Sequence, residues 1–273
     1  MRPAKHFFDM KASGQRIAML TAYDAPTARA EVLAGVDVIL VGDSVGTNVL
    51  GYASEKDVTI EDMAHHVRAV RRGAPDAYII GDLPYGTCGN AADAIANARK
   101  LNAAGADMVK FEGTRPDIVT ALKDAGLFVC SHIGLEPQNH EEKRLKGKTA
   151  EDARALLDAA KQLDAAGVDM IVLELIPEEL GAAITKAVRA PTIGIGAGRF
   201  TDGQVLVVVD LLGINEGVFK HNRRYGEIGA ATAEAVTGYV SDVHAGAFPA
   251  PENAFKMKAD EAALFAKGAA GSS

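Results

Sequence analysis

The stretch A-A-G-V-D-M-I-V, Ala165 to Val172, ends a helix, turns at a glycine and enters an apolar strand, and the chain repeats it. A-G-V-D-V-I-L-V runs from Ala34 to Val41 and A-A-G-A-D-M-V-K from Ala103 to Lys110, with a looser D-A-G-L-F-V-C from Asp124 to Cys130. In each copy the glycine stands where a helix closes on a left-handed residue. The run after it is apolar without alternation, as in a parallel strand buried on both faces by β/α units. Outward from these copies, eight strands are expected: Ile17–Tyr23, Val38–Gly42, Tyr78–Leu83, Met108–Glu112, Leu127–Ser131, Met170–Leu175, Thr192–Ile195 and Val205–Val209. The clearest helices are Glu61–Arg72, Ala91–Ala104, Arg115–Ala125, Ala150–Ala166 and Glu178–Val188. Eight strands separated by helices, with no strong linker, point to an α/β fold: a closed, parallel, eight-stranded β/α (TIM) barrel. Such a barrel needs about 250 residues, and the chain has 273. An open doubly wound sheet is the alternative, and the lack of G-x-G-x-x-G after the first strand argues against it. The barrel is expected over residues 1–258, followed by a tail, 259–273, that starts as a helix and frays.

The net charge of −7 argues against nucleic acid or an anionic membrane as the main partner, since both need clustered Lys and Arg. A small anionic substrate stays compatible, because a bound cation inverts the local field. Cys88 and Cys130, the only cysteines, have no metal-type spacing and read as small core thiols. There is no apolar run of membrane-spanning length and no leader-like apolar core near the N-terminus, so a cytoplasmic location is expected.

A barrel of this kind builds its active site at the C-terminal ends of its strands. The polar residues there are Asp43 and Ser44 after strand two, Asp82 after strand three, Lys110 and Glu112 on strand four, His132 after strand five and Glu174 on strand six. Asp43, Asp82 and Glu112 lie on consecutive strands about 4.8 Å apart and can converge on one centre. Unscreened, they repel; a hard divalent cation removes that cost, and all-oxygen ligands favour Mg²⁺. The alternative use of each carboxylate is to cap the helix that follows. Lys110 and Glu112 share a face, either as a structural ion pair or as a charged pair in the barrel mouth. Glu174 interrupts an apolar run and is read as the acid/base, with a structural role as the alternative. His132 is read as a hydrogen-bonding partner for a substrate oxygen, with a satisfied core histidine as the alternative. G-I-G-A-G, Gly194 to Gly198, reads as a tight turn more readily than as a phosphate site. His65 and His66 are adjacent on a helix and do not share a face.

These residues carry a resemblance. M-L-T-A-Y-D at Met19, V-I-L-V-G-D-S-V-G at Val38, V-R-A-V-R-R-G-A-P at Val67 and G-D-L-P-Y at Gly81 are similar to segments of the ketopantoate hydroxymethyltransferase family. So are M-V-K-F-E-G at Met108, S-H-I-G-L-E-P-Q at Ser131, V-L-E-L-I-P at Val172 and G-I-G-A-G-R-F-T-D-G-Q at Gly194. The likeness covers about Ile17 to Phe255. It implies a barrel of the Mg²⁺-dependent 2-oxo acid type and a homodecamer of two pentamers. It implies transfer of a hydroxymethyl group from 5,10-methylenetetrahydrofolate to 3-methyl-2-oxobutanoate, giving 2-dehydropantoate for pantothenate and coenzyme A synthesis. By the same likeness the metal falls to Asp43, Asp82 and Glu112, and the acid/base role to Glu174. Substrate contacts fall to Ser44, Lys110 and His132, with Asp43 and Asp82 beside them. The alternatives are a Mg²⁺-dependent lyase or hydrolase of another 2-oxo acid, and a paralogue that hydroxymethylates a different one. The sequence departs from the family after Gln138, where N-H-E-E-K-R-L-K-G-K replaces a longer glycine-bearing loop. It departs again at V-V-V-D before Leu211 and V-F-K-H-N after Gly217. The charged segment Asn139–Lys148 is expected to run over the rim, either altering substrate or folate selection or serving as a merely shortened surface loop with standard activity.

Overall fold

The repeats fold as their glycines dictate. Gly35, Gly105, Gly126 and Gly167 have φ of 83°, 119°, 76° and 90°, the left-handed region that an L side chain enters only at a cost. A computed structural model describes residues 3–139, 144–215, 217 and 219–270. The strands are β1 (Ile17–Thr21), β2 (Val38–Val41), β3 (Tyr78–Asp82), β4 (Met108–Glu112), β5 (Val129–Gly134), β6 (Met170–Glu174), β7 (Thr192–Ile195) and β8 (Gly203–Leu206). They pair in parallel in chain order and close when β1 meets β8. The helices of this unit are α1 (Lys5–Ser13), α2 (Ala25–Ala34), α3 (Ile60–Gly73), α4 (Ala91–Ala104), α5 (Pro116–Asp124), α6 (Ala150–Ala165), α7 (Glu178–Ala187) and the short α8 (Val208–Leu211). Asp24, Thr59, Asn90 and Thr149 cap the N-termini of α2, α3, α4 and α6 with their side chains, each filling one of the orphan N–H donors of a helix start.

β1, β2, β3 and β6 end one or two residues before their expected limits, and two strands are displaced. β5 begins at Val129 rather than Leu127, because the Leu127 N–H is still bonded to the Leu122 carbonyl at 3.0 Å and closes α5. It then runs on to Gly134, pairing Gly134 with Glu174. β8 covers Gly203–Leu206 and not Val205–Val209. The apolar run V-L-V-V-V-D-L-L is split, and Thr21 Oγ1 accepts the Val208 N–H at 2.9 Å at the start of α8. A short apolar run does not itself distinguish strand from buried helix.

Aspartates before every second strand, three of them in the repeats, stitch the base of the barrel. Asp37, before β2, accepts the Ala18 N–H of β1 at 2.8 Å. Asp107, before β4, accepts the Ile79 N–H of β3 at 3.1 Å, and Asp169, before β6, the Val129 N–H of β5 at 2.8 Å. Asp202, before β8, does the same for Thr192 of β7 at 2.8 Å. Three of the four also hold a cation: Arg71 on Asp107 at 2.6 Å, Lys123 on Asp169 at 2.7 Å and Lys11 on Asp202 at 2.8 Å. The lower interior is apolar. Phe7 and Met10 of α1 plug it against Tyr78, Ile80, Met108, Cys130 and Met170, and Phe7 meets Tyr78 edge-on at 4.8 Å. The period of two then sets a gradient toward the top: along β4 the inward positions read Met108, Lys110, Glu112, and along β6 Met170, Val172, Glu174. The mouth is therefore where the charge collects.

The described residues divide into two units, Met1–Tyr225 and Gly226–Ser273, so the boundary expected at 258 falls inside the second. That second unit contains α9 (Ile228–His244) and α10 (Ala259–Ala270), the latter being the helix expected at the start of the tail; residues 271–273 lie outside the described residues. No helix among the described residues is long and apolar enough to cross a membrane.

Candidate active site

All the singled-out residues at the strand ends meet in one place. β2 delivers Asp43 and Ser44 and passes into a π-helical turn, Gly46–Leu50, a distortion frequent at functional sites. β3 ends on Asp82, β4 carries Lys110 and Glu112, β5 carries His132 and β6 ends on Glu174. Together they line a cavity of about 450 Å³. Its floor is apolar, with Leu40, Val172, Ile195 and Val205, and its far wall is polar, with Asp210, Asn215 and Asn222.

Lys110 Nζ stands 2.9 Å from Asp82 Oδ1, with 5% and 3% of the two side chains exposed. Burial would lower the lysine pKa, but Asp82, Asp43 and Glu112 outweigh it and raise it, so the ammonium is retained. Asp82 Oδ2 accepts the Asp43 N–H at 3.1 Å. The Asp43 carboxyl is pushed up to about 7, first by burial and then by the charge on Asp82, against the opposing pull of Lys110. Glu112 behaves differently. Burial alone would raise it, yet His132, Lys110 and the Gln138 N–H hold it below its ordinary value. His132 sits between two carboxylates, Nδ1 3.4 Å from Glu112 Oε1 and Nε2 3.2 Å from Glu174 Oε2. Neither nitrogen is aligned for a full hydrogen bond, so these are charge contacts. Burial works to lower the imidazole pKa and the two carboxylates override it, raising it to about 9. Ser44 Oγ shares a 2.8 Å hydrogen bond with Tyr23 Oη.

Three contributors carried no assignment in the sequence. Gln138 lies at the end of the quoted S-H-I-G-L-E-P-Q segment; its Nε2 donates to Asp43 Oδ2 at 2.6 Å and its backbone N–H to Glu112 Oε2 at 2.9 Å. Tyr23 lies in the quoted M-L-T-A-Y-D. Asp210 lies in the departing V-V-V-D and accepts Asn215 Nδ2 and Asn222 Nδ2, both at 2.9 Å. Pro137 and Leu145 also line the cavity, which puts the segment after β5 at the mouth, as expected; His140, Glu141, Glu142 and Lys143 lie outside the described residues. G-I-G-A-G turns tightly, with Gly196 and Gly198 at φ 66° and 80°; a Cβ on Gly198 would come within 2.5 Å of Glu178 Cβ. His66 is spent on the Tyr23 carbonyl at 2.7 Å, while His65 faces solvent.

Asp43, Asp82, Glu112 and Glu174 share this mouth with Lys110 and His132, while Glu55, Asp210 and Lys220 line the same cavity. That donor set fits a hard divalent cation, which takes one or two carboxylates and fills its remaining positions with water and substrate oxygens. Among the described residues no group of three or more His, Cys, Asp or Glu side chains is placed to hold a metal ion, and Glu112 is engaged by Gln138 and His132.

A closed β/α barrel with a lysine, a histidine and four carboxylates gathered at the C-terminal mouth defines a barrel enzyme. The family model described as ketopantoate hydroxymethyltransferase matches residues 3–251. A 3-methyl-2-oxobutanoate hydroxymethyltransferase of Geobacillus kaustophilus is 45% identical over 269 residues, 96% of each chain. One of Desulfotalea psychrophila is 46% identical, covering 92% of this chain and 93% of its own. The chain belongs to the ketopantoate hydroxymethyltransferase family. Among solved structures, a phosphonopyruvate hydrolase in complex with oxalate and Mg²⁺ superposes with a TM-score of 0.62 at 13% identity over 93% of each chain. A 2,3-dimethylmalate lyase of the PEP mutase/isocitrate lyase superfamily gives 0.59 at 13% identity, over 97% and 98%. At that identity the likeness is one of fold.

Proposed function

We propose that the protein transfers a hydroxymethyl group from 5,10-methylenetetrahydrofolate to 3-methyl-2-oxobutanoate, giving 2-dehydropantoate for pantothenate and coenzyme A synthesis. The observation that carries this reading is the coincidence of near full-length family membership with a mouth that joins a carboxylate cluster, a buried ammonium and a partly exposed glutamate. Family membership also favours transfer over the bond cleavage named for the more distant fold neighbours.

Asp43 and Asp82, with Glu112 beyond them, would hold Mg²⁺, which supplies Lewis acidity toward the keto and carboxylate oxygens of a 2-oxo acid. The chain's own groups do the rest. Lys110, fixed against Asp82, keeps a positive charge where negative charge develops on the substrate oxygen. His132, held cationic between Glu112 and Glu174, adds a second donor there. Ser44, oriented by Tyr23, offers a hydroxyl to the substrate carboxylate. Glu174, with 18% of its side chain exposed, removes the C3 proton and returns one during transfer. The apolar floor of Leu40, Val172, Ile195 and Val205 matches a branched alkyl group. The cavity of about 450 Å³ exceeds a small oxo acid and leaves room for the one-carbon donor. We read the protein as a cytoplasmic homodecamer of two pentamers, and the segment after Gln138 as an element that tunes substrate or folate selection.

The test is to incubate the purified protein with Mg²⁺, methylenetetrahydrofolate and a panel of branched 2-oxo acids, following products by NMR. A hydroxymethylated product from 3-methyl-2-oxobutanoate is expected. Turnover of a different 2-oxo acid only, or cleavage without folate, would replace this reading.

A further inference from the structure

We propose that Gln138 is a positioning residue that orients Asp43 and Glu112 for cation and 2-oxo acid binding; the proposal rests on the metal-dependent reading above. Gln138 is 4% exposed, and its donors are committed to the site. Nε2 donates to Asp43 Oδ2 at 2.6 Å and to the Leu83 carbonyl at 3.3 Å, while the backbone N–H donates to Glu112 Oε2 at 2.9 Å. One residue of the segment after β5 thus ties together the loops after β2 and β3 and the end of β4.

The chemistry explains why an amide stands there. Asp43 and Glu112 are like charges in a buried mouth, and each gains if it rotates away from the other. Hydrogen bonds to a carboxylate are charge-assisted and directional, so the two donors of Gln138 fix both rotamers. Because the amide is neutral, it holds the carboxylates without cancelling the charge that attracts the cation; a lysine in its place would compete with the metal. By engaging Oδ2, it also makes the two oxygens of Asp43 inequivalent. The side-chain bond is removable by mutation and the backbone bond is not, so a side-chain variant should disturb Asp43 and spare Glu112.

The experiment compares the full-length wild type with Gln138→Met, which keeps the volume and removes the donor, and Gln138→Ala, which covers the case of a misfolded methionine variant. Mg²⁺ affinity is measured by calorimetry, thermal unfolding in EDTA, and kcat and KM across a Mg²⁺ titration. Loss of a partner that orients a metal ligand costs about 10–100-fold in affinity. That weakening is expected, with unfolding in EDTA little changed and kcat recovering at saturating Mg²⁺. Unchanged Mg²⁺ affinity in a folded variant overturns the proposal, as does destabilisation in EDTA without an affinity change. Wild type that binds no Mg²⁺ overturns it together with the metal assignment. Wild type that binds Mg²⁺ yet forms no hydroxymethylated product removes the transferase reading alone, and the affinity difference still decides the role of Gln138.

Discussion

Replacing Lys110 with methionine tests how the mouth is held together. Methionine keeps most of the length and volume and removes the charge. The lost contact is the 2.9 Å pair with Asp82, whose side chains are 5% and 3% exposed, on a cation that Asp43 and Glu112 also stabilise. Breaking a buried pair from one side leaves a charge without compensation and costs about 3–5 kcal/mol. Urea unfolding in EDTA at pH 8 reads this directly. With a slope of about 1–3 kcal/mol/M, the midpoint should fall by roughly 1–5 M. The loss depends on pH. Asp43 already sits at about 7, with Lys110 among the groups holding it down; without the lysine its folded pKa rises further above the unfolded value of about 4. A group raised in this way keeps its stability contribution below the unfolded pKa and loses it as pH climbs through the folded one. The deficit of the variant should therefore shrink toward pH 4 and grow toward pH 8. Mg²⁺ at about 100 times its Kd should return roughly 2.7 kcal/mol. A midpoint equal to that of the wild type in EDTA at pH 8 would refute the reasoning.

Other outcomes follow from single residues. Asp43→Ala and Asp82→Ala should abolish activity and Mg²⁺ binding by calorimetry while leaving the far-UV circular dichroism of the barrel intact. Glu174→Gln should bind Mg²⁺ and the 2-oxo acid almost normally and lose turnover by about 10²–10⁴; a variant that loses only affinity would make Glu174 a binding group. Glu31 on α2 is 4% exposed with neither carboxyl oxygen hydrogen-bonded among the described residues, and burial, then the charge of Asp24, raises it to about 8. Its contribution is kept below about pH 4.5 and lost as pH rises to 8, so Glu31→Gln should stabilise the protein at pH 8 by about 2–4 kcal/mol and flatten the pH profile.

The barrel was legible because its repeats encode it twice, in the glycine that closes each helix and in the unbroken apolar run that follows. In three of the four repeats the aspartate before the strand has a task the sequence does not announce. It caps the first N–H groups of the preceding strand, a contact between neighbours some 20 to 40 positions apart. β8 was misplaced because V-L-V-V-V suits a strand and a buried helix equally, and a side chain on β1 decides between them. The rim residues could be read from strand ends alone, since the barrel fixes which ends converge. Gln138 could not, because its role depends on a loop folding back across three strand ends. Nor could the twofold engagement of His132, where the β4–β5 register pairs it directly with Glu112 and the Gly134–Glu174 register brings Glu174 to its other nitrogen.

The central claim is that this mouth activates the C3 position of a 2-oxo acid through Glu174. The measurement that bears on it most directly is hydrogen–deuterium exchange at C3 of 3-methyl-2-oxobutanoate in D₂O, followed by NMR with Mg²⁺ present and no folate. Exchange in the wild type, dependent on Mg²⁺ and lost by about 10²-fold or more in Glu174→Gln, is the predicted result. Exchange at an undiminished rate in Glu174→Gln, or none in the wild type, would contradict the account.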